Sequence, residues 1–278
     1  MENPVKLGKL IDMIQRKENV SNVNTCKIRN MKDLFNGSGT VKFRYRGLEF
    51  NQPLNNWDVS NVTDMTRMFY EAQKFNQPLD NWDVSNVKKM TGIFHMAVNF
   101  NQPLNDWDVS NVENMWSMFD CAKKFNQPLN NWVVSNVKNM NYMFSHAESF
   151  NQPLNEWDVS NVTSMLGMFD CAKKFNQPLN NWVVSNVKNM NYMFSNAESF
   201  NQPLNDWDVS KVKDMYSMFN NAKNYTYSFK TWKLKSNCDN DKFLIGCNLW
   251  HLFNTVEDLP MQDDERIETE DKRIWKIL

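Results

Sequence analysis

Glycine, paired cysteines and long apolar runs are all scarce in this chain, and each scarcity excludes a class of protein. Only 7 of the 278 residues are glycine, and no glycine-rich phosphate-binding motif occurs. No apolar stretch reaches the length of a membrane span, and the start Met-Glu-Asn-Pro-Val-Lys lacks the apolar core of a signal peptide. We therefore expect an intracellular protein without a membrane span.

The cysteines are few and unpaired. Five occur in the whole chain: Cys26, Cys121, Cys171, Cys238 and Cys247. An odd number without close spacing argues against a disulfide framework or a zinc site, and a reducing compartment is the simpler interpretation. Nothing in the sequence indicates a metal or another cofactor.

The charges and histidines point away from nucleic acid and from catalysis. With 31 basic and 32 acidic residues, the net charge of −1 gives no overall attraction to nucleic acid or anionic membranes. The three histidines, His95, His146 and His251, do not accompany a recurring nucleophile. We expect no enzyme, no catalytic residues and no nucleic-acid partner.

A 25-residue repeat dominates what is present. Phe-Asn-Gln-Pro-Leu begins at Phe50, Phe75, Phe100, Phe125, Phe150, Phe175 and Phe200. A constant period of this length is typical of a solenoid, in which each unit covers its neighbour. We divide the chain into an N-terminal cap with a degenerate first repeat (1–49), seven repeats (50–224), and a degenerate repeat with a C-terminal cap and charged tail (225–278).

Within one repeat, two apolar patterns follow each other. Leu54, Trp57 and Val59 have the spacing of the short strand in leucine-rich repeats, with Trp57 and Val59 pointing into the core. The second pattern has three- and four-residue steps typical of a helix face and comprises Val62, Met65, Met68, Phe69 and Ala72. These patterns predict an α/β fold: a right-handed, leucine-rich-repeat-like solenoid with one short parallel strand and one short helix per repeat.

The recurring asparagines have a structural interpretation. Asn51 and its equivalents up to Asn201 align in a column, where stacked side-chain amides can bond to one another and to turn backbone groups. The tryptophans in register from Trp57 to Trp232 are expected in the core.

Acidic residues recur at outward-facing strand positions and form the candidate binding site. The eight residues are Asp58, Asp83, Asp106, Asp108, Glu156, Asp158, Asp206 and Asp208. Together they predict an acidic stripe on the inner face that engages a cationic protein segment. The aspartates equally favour helix starts, and the sequence leaves both interpretations open. Val133 and Val183 interrupt the stripe.

The two ends depart from the repeat. Leu7, Leu10, Ile11 and Ile14 share one helical face and predict a helix within residues 1–27. Residues 41–46 alternate as a capping strand would, and the final Ile-Trp-Lys-Ile-Leu predicts either a cap or a docking peptide.

The signature M-x-x-M-F-x-x-A-x-x-F-N-Q-P-L-x-x-W-D-V-S-N-V, read from Met65 to Val87, resembles the 25–26-residue bacterial surface-protein repeat, a relative of the BspA-like leucine-rich repeats. The resemblance covers residues 50–224. It implies a leucine-rich-like solenoid with interaction or adhesion roles in bacterial surface proteins, protists or large DNA viruses. Without a secretion signal, we expect a host-cytoplasm or virion location if the protein is viral.

The resulting functional expectation is a non-enzymatic protein-binding solenoid. The alternative is an architectural component of a virion or large assembly. The partner protein and the oligomeric state are not specified by the sequence.

Overall fold

The computed structural model describes residues 3–38, 47–234, 238–240, 242–244 and 261–262. Within these ranges one α-helix occurs, α1 (Leu7–Gln15), which buries Leu10 and Ile14 and confirms the helix predicted near the N-terminus. No described helix combines the length and apolar character that crossing a membrane demands. The predicted strand at 41–46 and the terminal peptide lie outside the described residues.

Successive repeats stack, and one half of each coil is bonded to the next coil through the backbone. We call this part the ladder half; in the first repeat it is residues 62–74. The amides of Met65 and Arg67 donate to the carbonyls of Lys89 and Thr91 in the next coil, at 2.8 and 2.9 Å. The amide of Phe69 donates similarly to Ile93. Isolated parallel bridges, such as Asn114 with Asn139, mark the same ladder along the stack.

The short helix expected in each repeat is absent from residues 50–224, and a chain of turns takes its place. The amides of Met68 and Ala72 donate to the carbonyls three residues earlier, at Met65 and Phe69, which is the hydrogen bond of a β-turn. Alternate amides are already bonded to the neighbouring coil, so the i to i−4 bonds of a helix cannot form there. The neighbouring coil thus provides the hydrogen-bond partners of these backbone amides, whereas in a helix the partners would be carbonyls of the same segment.

The turns require two left-handed residues in every coil of residues 50–224. In the first repeat these are Arg67 (φ 54°) and Glu71 (φ 57°), each at the third position of a turn, where type II turns need positive φ. Glycine occupies the first of these columns only at Gly92 and Gly167. Elsewhere non-glycine residues adopt the conformation, at a typical steric cost of about 1–2 kcal/mol per residue.

The other half of each coil is bonded to its neighbour through side chains, and we call it the amide half; in the first repeat it is residues 50–61. Asn51 Oδ1 accepts the backbone amide of Asn76 at 2.9 Å and the side-chain amide of Gln77 at 3.2 Å. The Asn86 side chain donates to the carbonyl of Ser60 at 2.8 Å. This confirms the structural interpretation of the recurring asparagines.

The tryptophans form a hydrogen-bonded column in the core. The indole of Trp82 donates to the carbonyl of Leu54 at 2.9 Å, and Trp107 donates to Leu79 at 3.0 Å. Each indole is at most 3% exposed and lies nearly parallel to its neighbours. The predicted burial of this column is therefore confirmed, but no strand surrounds it within residues 50–224.

The separation between coils explains why the two halves use different bonds. Ring centroids are 5.7 Å apart at Phe94 and Phe119, 6.1 Å at Phe100 and Phe125, and 6.2–6.4 Å in the tryptophan column. Direct backbone pairing needs about 4.8 Å between chains, which only the ladder half approaches. In the amide half the coils diverge, so side-chain amides and indoles span the wider gap.

Both ends continue the columns in modified form. Ile28, Met31 and Phe35 are buried in register with Val62, Met65 and Phe69, and Met31 donates to the Asp64 carbonyl. At the other end β1 (Lys233–Leu234) pairs in parallel with β2 (Met261–Gln262). Lys233 and Leu234 are equivalent to residues 208 and 209 of the preceding repeat, in the amide half. At this end the backbone of the amide half is therefore paired directly, whereas side chains join the amide halves of the regular coils.

Candidate functional site

The candidate site is the outward surface of the amide half, which we call the acidic face. Around Trp107 the chain alternates between exposed and buried residues: Asp106 and Asp108 are exposed, whereas Trp107 and Val109 are buried. All eight acidic residues predicted for the site are exposed; they are Asp58, Asp83, Asp106, Asp108, Glu156, Asp158, Asp206 and Asp208. The alternation predicted from the sequence is confirmed without a strand, because the segment between the turns, residues 107–109 in this coil, still buries every second residue.

The acidic face lies on the side where the coils are farther apart. The tryptophans directly beneath it are 6.2–6.4 Å from one another, whereas the backbone-paired ladder is on another side of the coil. A leucine-rich repeat lines its inner face with paired strands. In this chain the backbone-paired segment and the acidic face are different surfaces.

One of the two acidic columns has a structural role in local turns. Asp158 Oδ1 accepts the backbone amide of Ser160 at 3.0 Å, and Asp58, Asp83, Asp108 and Asp208 make the corresponding bond. Donation from the Ser160 hydroxyl and amide holds the pKa of Asp158 below its usual range, and Asp108 and Asp208 behave alike. These aspartates cap a turn instead of a helix.

The second acidic column is free of that role. Asp106, Glu156 and Asp206 precede the first column by two residues, and other repeats carry asparagine at the same position, as at Asn131 and Asn181. The Glu156 carboxylate accepts the Asn181 side chain at 3.3 Å. Since asparagine serves equally well in the same coil geometry, the charge in this column is not needed for folding.

Valine separates the acidic coils in the C-terminal part of the face. Val133 and Val183 are each 55% exposed, in the column that elsewhere holds aspartate. A shallow open depression is lined by Asp106, Asp108 and Val133 together with Asn105 and Asn131. The structure thus brings neighbouring acidic and apolar side chains together on one surface.

The ladder half carries a different, mixed charge pattern. Glu148 lies between Lys123 and Lys173, with nitrogen–oxygen distances of 3.0 and 4.0 Å. Lys138 pairs with Glu113 at 3.1 Å. These pairs of opposite charge link consecutive coils across the solvent-facing surface of the ladder half. The charged residues that define the acidic face are all negative.

Spacing along the chain predicts no metal site, but stacking creates neighbours that this spacing does not reveal. Potential ligand atoms of Asp120, Cys121 and His146 lie within 4.8 Å of one another, as do those of His146, Asp170 and Cys171. The pKa of the Cys121 and Cys171 thiols is raised to about 12. Burial is the main cause, and the negative charge of the adjacent aspartate is the second. In the sequence, the sign of this cluster is that Cys121 and Cys171 occupy equivalent positions in two repeats and therefore stack in one column.

Comparison with known proteins identifies the repeat but assigns it no activity. No curated protein and no solved structure matches this chain significantly. The profile of the family described as "Mycoplasma protein of unknown function, DUF285" matches it three times in overlapping segments, at residues 7–103, 40–157 and 139–249. These matches span the buried columns from the degenerate first coil to the last one. The chain therefore belongs to this family of repeat proteins.

Proposed function

We propose that the chain is a non-enzymatic protein-interaction solenoid, right-handed and leucine-rich-repeat-like in its coiling, that binds a cationic protein segment along the acidic face. The observation that carries the proposal is the exposure of this face. Acidic side chains project from it in register, while their neighbours along the chain are buried. Aligned charges of one sign attract and orient a complementary segment.

The spacing of the coils fits an extended partner. Beneath the face, Trp82 and Trp107 are 6.2 Å apart and Trp207 and Trp232 are 6.4 Å apart, and two residues of an extended chain cover about 6.6 Å. A peptide lying along the stack would therefore place every second residue over a new coil. Over the C-terminal coils it meets acidic pairs and exposed valines in alternation.

This alternation specifies the partner's sequence pattern. The acidic pairs Asp106/Asp108 and Glu156/Asp158 are two coils apart, with Val133 between them. A matching segment carries lysine or arginine at every fourth residue and an apolar residue midway. Asp108 and Asp158 each use Oδ1 to accept a turn amide, and a carboxylate offers a second oxygen to a partner cation.

A labelled synthetic peptide with this pattern tests the proposal on the full chain. The informative variant is Asp106→Asn/Glu156→Asn/Asp206→Asn, because asparagine is native to this column at Asn131 and Asn181. Each exposed ion pair contributes about 0.2–1 kcal/mol, so the triple variant should bind roughly 3- to 150-fold more weakly in fluorescence anisotropy.

The matched control removes three negative charges from another surface: Glu113→Gln/Glu148→Gln/Glu198→Gln. It should bind the peptide with nearly unchanged affinity. Equal weakening by the two triple variants would show an effect of net charge alone and would contradict a specific acidic face. Affinity capture with the full chain then distinguishes the two classes of partner, since stoichiometric incorporation into a particle favours the architectural alternative over a reversible, salt-sensitive binder.

A further inference from the structure

Stacking collects five metal-ligating side chains on the ladder half. Asp120 and Cys121 lie in one coil, His146 in the next, and Asp170 and Cys171 in the one after. One potential ligand atom from each of Asp120, Cys121 and His146 lies within 4.8 Å of the other two, and the same holds for the group formed by His146, Asp170 and Cys171. His146 belongs to both groups.

The backbone fixes the positions of these side chains. Cys121, His146 and Cys171 occupy one left-handed column, with φ of 58°, 53° and 56°. The Cys121 amide donates to the Ser145 carbonyl, and the His146 amide donates to the Asp170 carbonyl, both at 2.7 Å. The ligand-bearing positions of neighbouring coils are thus held in register before any ion binds.

Surrounding side chains orient the ligands on the Asp120 side. His146 Nδ1 lies 2.9 Å from the Ser145 hydroxyl, which restrains the imidazole ring. Asp120 Oδ1 accepts the Cys121 thiol at 3.4 Å, and its Oδ2 lies 3.1 Å from His95 Nδ1. That nitrogen is buried without a partner of hydrogen-bond geometry. Asp120 Oδ2 also accepts the Ser117 hydroxyl at 3.3 Å, and hydroxyl contacts such as those of Ser117 and Ser145 are of the kind that orients ligands in metal sites.

We propose that the chain binds one Zn²⁺ ion through Asp120, Cys121 and His146. A thiolate, an imidazole and a carboxylate are the three ligand types that zinc takes in proteins. Asp120 and Cys121 are half-buried and His146 is exposed, so a fourth position is open to solvent. On binding, the zinc–sulfur bond replaces the sulfur–hydrogen bond, and the thiol proton passes to solvent.

An internal duplication provides an unusually close control. Residues 119–154 recur at 169–204 with a single difference, Asn196 in place of His146. The Asn196 side-chain nitrogen lies 2.9 Å from the Ser195 hydroxyl, as His146 Nδ1 does from Ser145. The substitution His146→Asn therefore reproduces an arrangement that the same fold already contains, and it should not disturb folding.

The test is calorimetric titration of the reduced, metal-free full chain with zinc chloride, with cobalt(II) absorption as a second readout. We expect one zinc per chain and a sulfur-to-cobalt charge-transfer band. His146→Asn and Cys121→Ser should each weaken binding at least about tenfold and remove the band. Cys26→Ser, outside the cluster, should leave both measurements unchanged.

Two further variants decide which side of His146 holds the ion. Cys171→Ser should retain binding; if it abolishes binding while Cys121→Ser does not, the assignment to the Asp120 side is wrong. In His146→Asn/Asn196→His, the imidazole moves beside Asp170 and Cys171, and binding should return. No return in a variant with an unchanged circular dichroism spectrum would contradict the sufficiency of the three ligands. Unchanged zinc affinity in His146→Asn would overturn the proposal.

Discussion

The ladder half and the amide half of each coil solve the same problem by different means. Both must satisfy polar backbone groups next to a buried apolar column. The ladder half does so with direct backbone bonds, such as Phe119 to the Met143 carbonyl at 2.9 Å. The amide half uses side chains, such as Asn126 Oδ1 accepting the Asn151 amide at 2.8 Å. Their difference follows from the distance between coils.

This comparison teaches where the sequence is constrained. Any residue that tolerates the turn conformation can supply a backbone bond, so the ladder half varies at positions such as Met96, Cys121 and His146. A side-chain bond requires one particular side chain, so asparagine and tryptophan recur in the amide half. Removing a side chain that bridges two coils should therefore cost more stability than changing one of these variable ladder-half positions.

The largest effect is expected from Trp157→Ala. Trp157 is 3% exposed, stacks on Trp132 with 6.3 Å between centroids, and donates to the Leu129 carbonyl at 3.0 Å. Losing the packing and leaving this carbonyl unpaired should lower the free energy of unfolding by about 3–5 kcal/mol in urea denaturation. The ladder-half control Met143→Leu conserves volume and should cost under about 1.5 kcal/mol. A larger loss for the control would reverse the comparison.

A smaller loss is expected from Asn151→Ala. Asn151 Oδ1 accepts the Asn176 amide at 2.9 Å and the Gln177 side chain at 3.1 Å. Leaving a partly buried amide unpaired costs about 1–3 kcal/mol, and hydrogen exchange at Asn176 should accelerate. Asn151→Asp keeps an acceptor oxygen and should retain more stability. Equal losses for the two variants would mean that this bond does not hold the coils together.

The ladder half is most sensitive at its left-handed positions. Ser117 has φ of 51°, in the column where Gly92 and Gly167 occur. A β-branched residue is strained there, so Ser117→Val should lower the free energy of unfolding by about 1–2 kcal/mol. Ser117→Gly should be nearly neutral, because the steric relief offsets its greater unfolded-state entropy. Thermal denaturation of both variants measures the contrast, and a neutral Ser117→Val would show that backbone conformation does not limit this half.

The smallest effect concerns the pH dependence of the acidic face. Hydrogen bonds from Ser160 lower the folded-state pKa of Asp158 relative to the unfolded chain. The stabilisation is therefore present above the unfolded pKa and is lost as the pH falls through the folded value. Asp158→Val, which installs the residue found at 133 and 183, should lose less stability on acidification than the wild type. Carboxyl NMR titration measures the pKa directly, and a value at or above the ordinary range would refute this explanation.

The sequence predicted the buried columns and misassigned their local structure. Strict periodicity places equivalent residues in register, and Trp82 on Trp107 shows that register. The helix was predicted because Val62, Met65 and Met68 have steps that a helix also allows. On a helix each three-residue step falls short of a full turn by about 60°, so the run Val59, Val62, Met65 and Met68 spreads over half its circumference. Consecutive three-residue turns fit that run better.

The exposed acidic residues were predictable because the irregular segment that replaces the expected strand keeps the same alternation of buried and exposed residues. The Asp120–Cys121–His146 group was not predicted, since its members become neighbours only through stacking. Close spacing along the chain is the usual sequence signal for metal ligands. In this chain the relevant separation is 25 residues, and the substitution of His146 for Asn196 in an otherwise identical block was the visible trace.

Hydrogen bonds between the regular coils join a residue to a position about 25 residues away, and this has a consequence for how such a molecule can change. A gene can lengthen the stack by copying one or more whole units, because the new coil meets the same surfaces that its template met. The near-identical blocks 119–154 and 169–204 record such an event. Residues added as a fraction of a unit would lack matching partners in the neighbouring coils, so growth by whole units is the change that preserves every column of the regular stack.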